Sequence, residues 1–263
     1  MPRFKLTVEY QGTRYSGWQV QKNARTVQGE ILAALRKVTG KMEPELHGSG
    51  RTDTGVHALR QAAHLDLHED AQPEALRRAL NTELPSDIHI LAIERTHPRF
   101  HARHHAVARS YLYQVSRRRT AFGKKLTWWV KEDLDVERMK QAAALFAGMK
   151  NCRSFSADEP EEKSTLVLIE RVQVREAGDL ILIRVEGSHF LWKMVRRIVG
   201  VLVEAGKGKL SNAGITRFLE GKSEEPARLA APASGLFLER VYYQGDARQD
   251  DLEPVLMISS RKM

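Results

Sequence analysis

The densest group of reactive side chains lies between Gly48 and Ala58, in the run GSGRTDTGVHA. It combines glycines at 48, 50 and 55 with Arg51, Asp53, His57 and the hydroxyls of Ser49, Thr52 and Thr54. Glycine weakens helix and strand interiors, and the run holds too little apolar surface for a core strand, so it reads as a tight polar loop. Loops held between ordered elements are where chains tend to place chemistry. Asp53, central and two residues after Arg51, is the side chain to carry a reaction. The competing reading is a structural turn whose carboxylate bonds its own backbone, and local chemistry weighs the two evenly. A phosphate cradle has little support, because neither GxxxxGK[ST] nor GxGxxG is present. A triad of Ser49, His57 and Asp53 has little more: such groups come from separate elements, and no GxSxG elbow occurs.

Three further groups could do chemistry. His97, His101, His104 and His105 resemble a metal cluster, but no cysteine or carboxylate accompanies them, and Arg99 and Arg103 would repel a cation. They read as packing or RNA-facing residues, and no metal is expected. Arg196 and Arg197 follow Lys193 in an otherwise apolar helical stretch. Snorkelling is the ordinary fate of such residues. Helical spacing nevertheless sets Arg196 about two residues off the apolar stripe, where it could border a cleft and pair with a carboxylate, Asp53 being one candidate. Such a pair would keep Asp53 ionised. Tyr111, near Arg109, reads either as core packing or as a platform for an unstacked base.

The charge pattern narrows the partner. The 263 residues carry 42 Lys and Arg against 33 Asp and Glu, a net charge of +9, and the excess is unevenly spread. From Arg95 to Lys131 there is no carboxylate, yet this interval holds ten Lys or Arg together with Phe100, Tyr111, Tyr113, Phe122, Trp128 and Trp129. Gln11 to Gly29 also lacks carboxylates and carries Arg14, Lys22 and Arg25 beside Tyr15 and Trp18. Basic clusters interleaved with aromatic rings mark a nucleic-acid surface, and RNA where bases can stack. Arg14, Lys22, Arg103 and Arg109 are the candidate RNA contacts. No apolar run is long enough to span a bilayer, no signal-peptide pattern is present, and the single cysteine, Cys152, excludes an internal disulfide. A cytoplasmic protein is expected.

The elements that must position these groups follow from periodicity. Arg3–Tyr10 alternates as a half-buried strand, and Thr26 caps a helix with Val27, Ile31, Leu35 and Val38 on one stripe, closed by Gly40. A short strand near Leu46, a strand from Leu59 to Leu67, a helix from Pro73 and a strand from Ile88 to Ile93 complete a first half. The second half repeats the order. It has a strand from Val107 to Val115, a helix capped by Asp135 and a hairpin of Leu166–Val174 with Leu180–Val185 around Gly178. An apolar helix from Phe190 to Ala205, a shorter helix capped by Ser211 and a closing strand from Leu236 to Tyr243 follow. This predicts an α+β fold of two tandem ferredoxin-like βαββαβ halves with mainly antiparallel sheet and a catalytic cleft between them. The halves span 1–103, with the reactive loop, and 104–245. Residues 246–263 read as a polar, flexible tail.

With these residues in view, the sequence resembles the tRNA pseudouridine synthase A family. YQGTRYSGWQVQ is similar to the family's opening motif, GSGRTDTGVHA to its catalytic loop and FHARHHAVARSYLY to its mid-chain motif. HFLWKMVRRIVG and ASGLFLERVYY are similar to its last two. The resemblance covers nearly the whole chain, as far as about Tyr243. It implies a pseudouridine synthase fold, no cofactor, and isomerisation of uridines 38, 39 and 40 in the tRNA anticodon stem-loop. By the same resemblance Asp53 matches the catalytic aspartate and Arg51 the arginine that helps flip the target nucleotide out. Tyr111 matches the tyrosine stacked on the uracil, Arg196 the partner of the catalytic carboxylate, and Leu236 an apolar residue on the other face of the base. A homodimer is implied as well. One departure stands out: after FHAR the family usually has an aromatic residue, where this chain has His104 and then His105.

Overall fold

A computed structural model describes residues 1–40, 44–157 and 164–258. The chain divides into two compact units, one of residues 1–107 with 237–247, the other of residues 108–236 with 248–263.

In the first unit the order is β1 (Arg3–Tyr10), α1 (Val27–Thr39), β2 (Glu45–Gly48), β3 (His57–Asp66), α2 (Pro73–Glu83) and β4 (Ile88–Thr96). Strand β1 lies between β4 and β3, antiparallel to both, and β2 pairs antiparallel with the far half of β3. The resulting order β4-β1-β3-β2 is the ferredoxin-like arrangement that the βαββαβ pattern predicts. Alternation places Phe4, Leu6, Val8 and Tyr10 of β1 in the core. Thr26 caps α1 by accepting from the Gly29 N–H at 3.2 Å, and Gly40 closes the helix in the left-handed region at φ 64°. At the sheet's open end Arg3 forks onto Asp66 through two contacts of 2.6 Å.

Strand β5 (Ala106–Ser116) leads into the second unit, followed by β6 (Trp128–Trp129), α3 (Val136–Ala144), β7 (Gly148–Asn151), β8 (Leu166–Ala177) and β9 (Leu180–Gly187). Helices α4 (Met194–Gly206), α5 (Asn212–Glu220) and α6 (Glu225–Arg228) come next. The antiparallel order is β5-β9-β8-β7, with β6 parallel to the end of β5. Chain order assigns the last strand, β10 (Leu236–Tyr243), to the second half, whereas its residues from Phe237 onward group with the first unit. There Phe237 and Leu238 run parallel to His57 and Ala58 of β3.

Two expectations need correcting. Helix α4 begins at Met194, not Phe190, because Lys193 takes a left-handed φ of 59° that no continuous helix allows. Leu191 is therefore in a turn, its carbonyl accepting from the Met194 N–H at 3.1 Å. The stretch after Gly245 is ordered: from Arg248 it is docked on the second unit as far as Ile258, and residues 259–263 lie outside the described residues. Fully buried Arg184 of β9 donates to the carbonyls of Gln249, Asp250 and Asp251, and Arg175 to that of Leu252. The Gln114 side chain accepts from the Val255 N–H at 2.7 Å, and Leu252 and Ile258 are buried. The polar composition that reads as a loose tail thus feeds a set of arginine and glutamine contacts.

Candidate active site

Within the first unit the glycine-rich loop is fixed on either side of Asp53. The Thr52 carbonyl accepts from the Trp18 N–H at 3.0 Å, and the Thr52 hydroxyl lies 2.7 Å from that of Tyr10. The Val56 N–H donates to the Asp53 carbonyl at 3.1 Å, closing a turn, and the Gly55 N–H reaches the Tyr15 carbonyl at 3.3 Å. Further up, the Ser49 N–H bonds the Ala62 carbonyl at 2.7 Å, and the Gln61 amide donates to the Gly50 carbonyl at 2.9 Å. The backbone around Asp53 is held, while its side chain is partly exposed and Arg51 is exposed. The loop's backbone bonds thus fix the place from which the Asp53 side chain projects.

The opening motif is the wall against which this loop is built. Gly12 packs so closely on it that a Cβ there would stand 1.8 Å from the Val56 carbonyl oxygen. The Gly12 N–H donates to Nδ1 of His57 at 2.9 Å. His57 is buried, and its ring stacks on Phe237 at 4.8 Å. With Nδ1 accepting, a neutral His57 carries its proton on Nε2. Sequence reasoning offers His57 only as a triad member; its part here is to join the loop to the opening motif. That Gly12 and His57 both sit inside the two glycine-bearing motifs is the signal that could have found it.

The second unit arranges Tyr111, Arg196 and Leu236 on one connected framework. Tyr111 is nearly buried on β5, with the Phe190 ring edge-on at 5.0 Å. Two residues on, the Tyr113 hydroxyl donates to the Pro232 carbonyl at 2.7 Å, and burial pushes its pKa well above the usual phenol range. Gly235 lies against that ring, which a Cβ at this position would approach to 2.6 Å. Tyr113 therefore anchors the segment that ends in buried Leu236. Arg196 is half-buried on α4, its Nε–H donating to the Ala231 carbonyl at 2.6 Å while the Ala231 N–H returns to the Arg196 carbonyl at 2.9 Å. Arg197 is turned aside onto the carbonyls of Ser154 and Ser156.

The remaining candidates separate by exposure. Arg14, Lys22 and Arg103 are exposed, as a phosphate contact requires. Arg109 is not: it is buried beside the β9 end of the sheet, with Nη1 donating to the Ser188 carbonyl at 3.2 Å. Its neighbours in sequence are basic and aromatic, but its place inside paired strand β5 turns it inward. The histidine rings form a chain of contacts: His47 stacks on His64 at 5.0 Å, while His64 and His101, at 4.6 Å, and His101 and His104, at 4.2 Å, meet tilted by 56° and 51°. His64 Nδ1 accepts from the Ala102 N–H, and His101 Nδ1 from those of Arg103 and His104. Burial, with the neighbouring positive charge of His101, Arg3 and His47, lowers the His64 pKa to about 4. Of the four clustered histidines of the sequence, His101 and His104 join this packed group with His47 and His64, while His97 and His105 lie outside it, and His97, His104 and His105 are exposed.

Comparison with known proteins matches residues 6–104 and 142–244 to a family described as tRNA pseudouridine synthase. The chain is similar to "tRNA pseudouridine synthase A 2" of Bacillus anthracis, 38% identical over 246 residues, covering 92% of this chain and 100% of that protein. It is 39% identical over 248 residues to "tRNA pseudouridine synthase A" of Agrobacterium fabrum, covering 92% of this chain and 93% of the other. The protein of the same name from Beijerinckia indica is 39% identical over 257 residues, 97% of this chain and 98% of its own.

Proposed function

The chain belongs to the tRNA pseudouridine synthase family, and from that premise we propose that it isomerises uridines 38, 39 and 40 in the anticodon stem-loop of tRNA, with Asp53 as the catalytic carboxylate. The observation that carries this reading is the loop around Asp53, whose backbone is bonded at Thr52, Val56 and Gly55 while its carboxylate stays partly exposed.

The reaction breaks the N1–C1′ bond of uridine, turns the uracil and rejoins it through C5, which loses its proton while the freed N1 takes one up. It is an isomerisation and consumes no cofactor. Asp53 acts on the ribose, by attack at C1′ or by removal of a ribose proton; both routes need a carboxylate held ionised and aimed. Arg196, carried by the motif HFLWKMVRRIVG that resembles the family's, supplies the counter-charge to that carboxylate. A paired stem hides C1′ and the base edge, so the target nucleotide must be extruded, and Arg51 assists that step. Tyr111 stacks on the freed uracil and Leu236 packs on its other face. Arg14, Lys22 and Arg103 follow phosphates. The protein works in the cytoplasm as a homodimer.

The test is to incubate the purified protein with an unmodified tRNA transcript, with no metal or cofactor added, and to map pseudouridine along the product. The reading expects modification confined to positions 38–40. Modification elsewhere in the tRNA would retain the isomerase and overturn the site assignment.

A further inference from the structure

One stretch of the basic interval remains without a role: the loop between β5 and β6, RRRTAFGKK over Arg117–Lys125, which lies between the two ranges matched to the family. At its tip Phe122 is 95% exposed. Single exposed apolar side chains are common, and one in a slack loop would mean little. This loop is not slack. The Ser116 hydroxyl donates to the Arg118 carbonyl at 2.7 Å, while the Gly123 carbonyl accepts from the Leu126 N–H at 2.9 Å and the Thr127 hydroxyl at 3.0 Å. Gly123, next to Phe122, is itself buried, with the Ile258 side chain against it. Arg117 and Arg118 are tied to Glu176 and Asp179 at the loop's root. An anchored backbone therefore holds an aromatic ring out in water, between the exposed cations Arg119 and Lys124.

We propose that this loop is an RNA-docking element, in which Phe122 stacks on an unpaired base while Arg119 and Lys124 contact the flanking phosphates. The proposal rests on the tRNA reading above and adds a surface to it. The chemistry is selective: an aromatic face between cations, with no carboxylate from Arg95 to Lys131, fits a polyanion that carries flat rings. Because the loop is already ordered, binding it costs little conformational entropy. Tyr111 and Arg117 are six residues apart along the chain, roughly 20 Å at the usual strand rise. The loop therefore engages nucleotides away from the reacting uridine, and it serves binding rather than the chemical step.

The experiment compares Phe122→Ala, Phe122→Trp and the double variant Arg119→Ala/Lys124→Ala with the wild type. Equilibrium binding of an unmodified tRNA transcript is measured between about 50 and 200 mM salt, together with kcat and KM for pseudouridine formation. Phe122→Ala should weaken binding and raise KM roughly tenfold with kcat unchanged, and Phe122→Trp should restore both. The double variant should flatten the dependence of log Kd on log salt by about 1.5, roughly 0.7–0.9 for each phosphate that is no longer neutralised. Since the ring is in solvent, the variants should melt with the wild type. Wild-type Kd and KM in Phe122→Ala would overturn the proposal, as would a fall in kcat at saturating tRNA with Kd unaltered. If the wild-type protein itself neither bound tRNA nor modified it, the tRNA reading would fall first; a wild type that does both beside an unaffected Phe122→Ala removes the loop proposal alone.

Discussion

Adding one methyl group to Gly12 tests how closely the opening motif and the glycine-rich loop around Asp53 depend on each other. A Cβ at this position would lie 1.8 Å from the Val56 carbonyl oxygen, where ordinary contact begins at 3.4 Å, so one side must move by 3.4 − 1.8 = 1.6 Å. The obstacle is backbone, three residues after Asp53, and no rotamer change relieves it. A shift of that size also breaks the 2.9 Å bond from the Gly12 N–H to His57, leaving a buried acceptor unpaired. Overpacking costs about 1–3 kcal/mol and the orphaned acceptor about 1–3 kcal/mol. Gly12→Ala should therefore lose about 2–6 kcal/mol, a large part of the ~5–15 kcal/mol of a typical domain. Activity should suffer more than stability implies, since displacing a reacting group by ~1 Å costs on the order of 10²-fold in rate. Urea unfolding and kcat at saturating tRNA measure the two effects. Gly221→Ala is the control, because the nearest atom to a Cβ there, the Arg217 carbonyl oxygen, is 3.5 Å away; it should change neither. A Gly12→Ala protein with wild-type unfolding midpoint and kcat would refute the packing argument.

Two other predictions concern stability. The folded-state pKa of His64, about 4, lies below its ordinary 6.5, so protonation favours the unfolded chain. Its contribution is complete above pH 6.5, is lost as pH falls from 6.5 to 4, and is flat below that. His64→Gln should show a shallower decline in unfolding free energy over that window; an identical decline would contradict the assignment. Arg184→Leu removes the buried donor that binds three carbonyls of the C-terminal segment, those of Gln249, Asp250 and Asp251, leaving Gln249 with its second donor, Arg171. It should cost roughly 2–5 kcal/mol and speed hydrogen exchange at Val255, whose amide otherwise stays protected by Gln114. Unchanged exchange there would mean that the segment is held by other contacts.

Much of this architecture was legible because local signals and tertiary packing agree. Thr26, Asp135 and Ser211 each cap the helix that their position announces, and Gly40 ends α1 where a left-handed residue is needed. Alternation marked β1, whose buried face is the one that the pattern gives; in β3 and β5 residues of both faces are buried, and Val107, grouped by the pattern with Tyr111, Tyr113 and Val115, is exposed. The failures come where a distant partner decides. Phe190–Trp192 continue an apolar helical stripe in composition, but Lys193 interrupts the backbone at φ 59°, which periodicity does not register. Arg109 shares its charge with Arg103, yet the pairing of β5 with β9 buries one and leaves the other exposed. The polar stretch after Gly245 has no period of its own, and its order comes from arginines on β8 and β9 some 65–78 residues away in sequence. Strands as short as β6 and β7 carry too few residues to establish a pattern. For the reactive loop, composition marked the place but left turn and active site in balance; the family match supplies the activity of the chain, and the part of Asp53 in it is the proposal that the variants test.

The account stands most directly on the carboxylate of Asp53. Asp53→Asn keeps the shape of the side chain and removes its charge, so the loop's backbone contacts through Thr52 and Val56 should persist. The decisive measurement is tritium release from tRNA carrying 5-tritiated uridine, with tRNA binding followed in parallel. Asp53→Asn should bind tRNA within a few-fold of the wild type and release no tritium above background. Release at the wild-type rate would show that the reaction does not depend on this carboxylate.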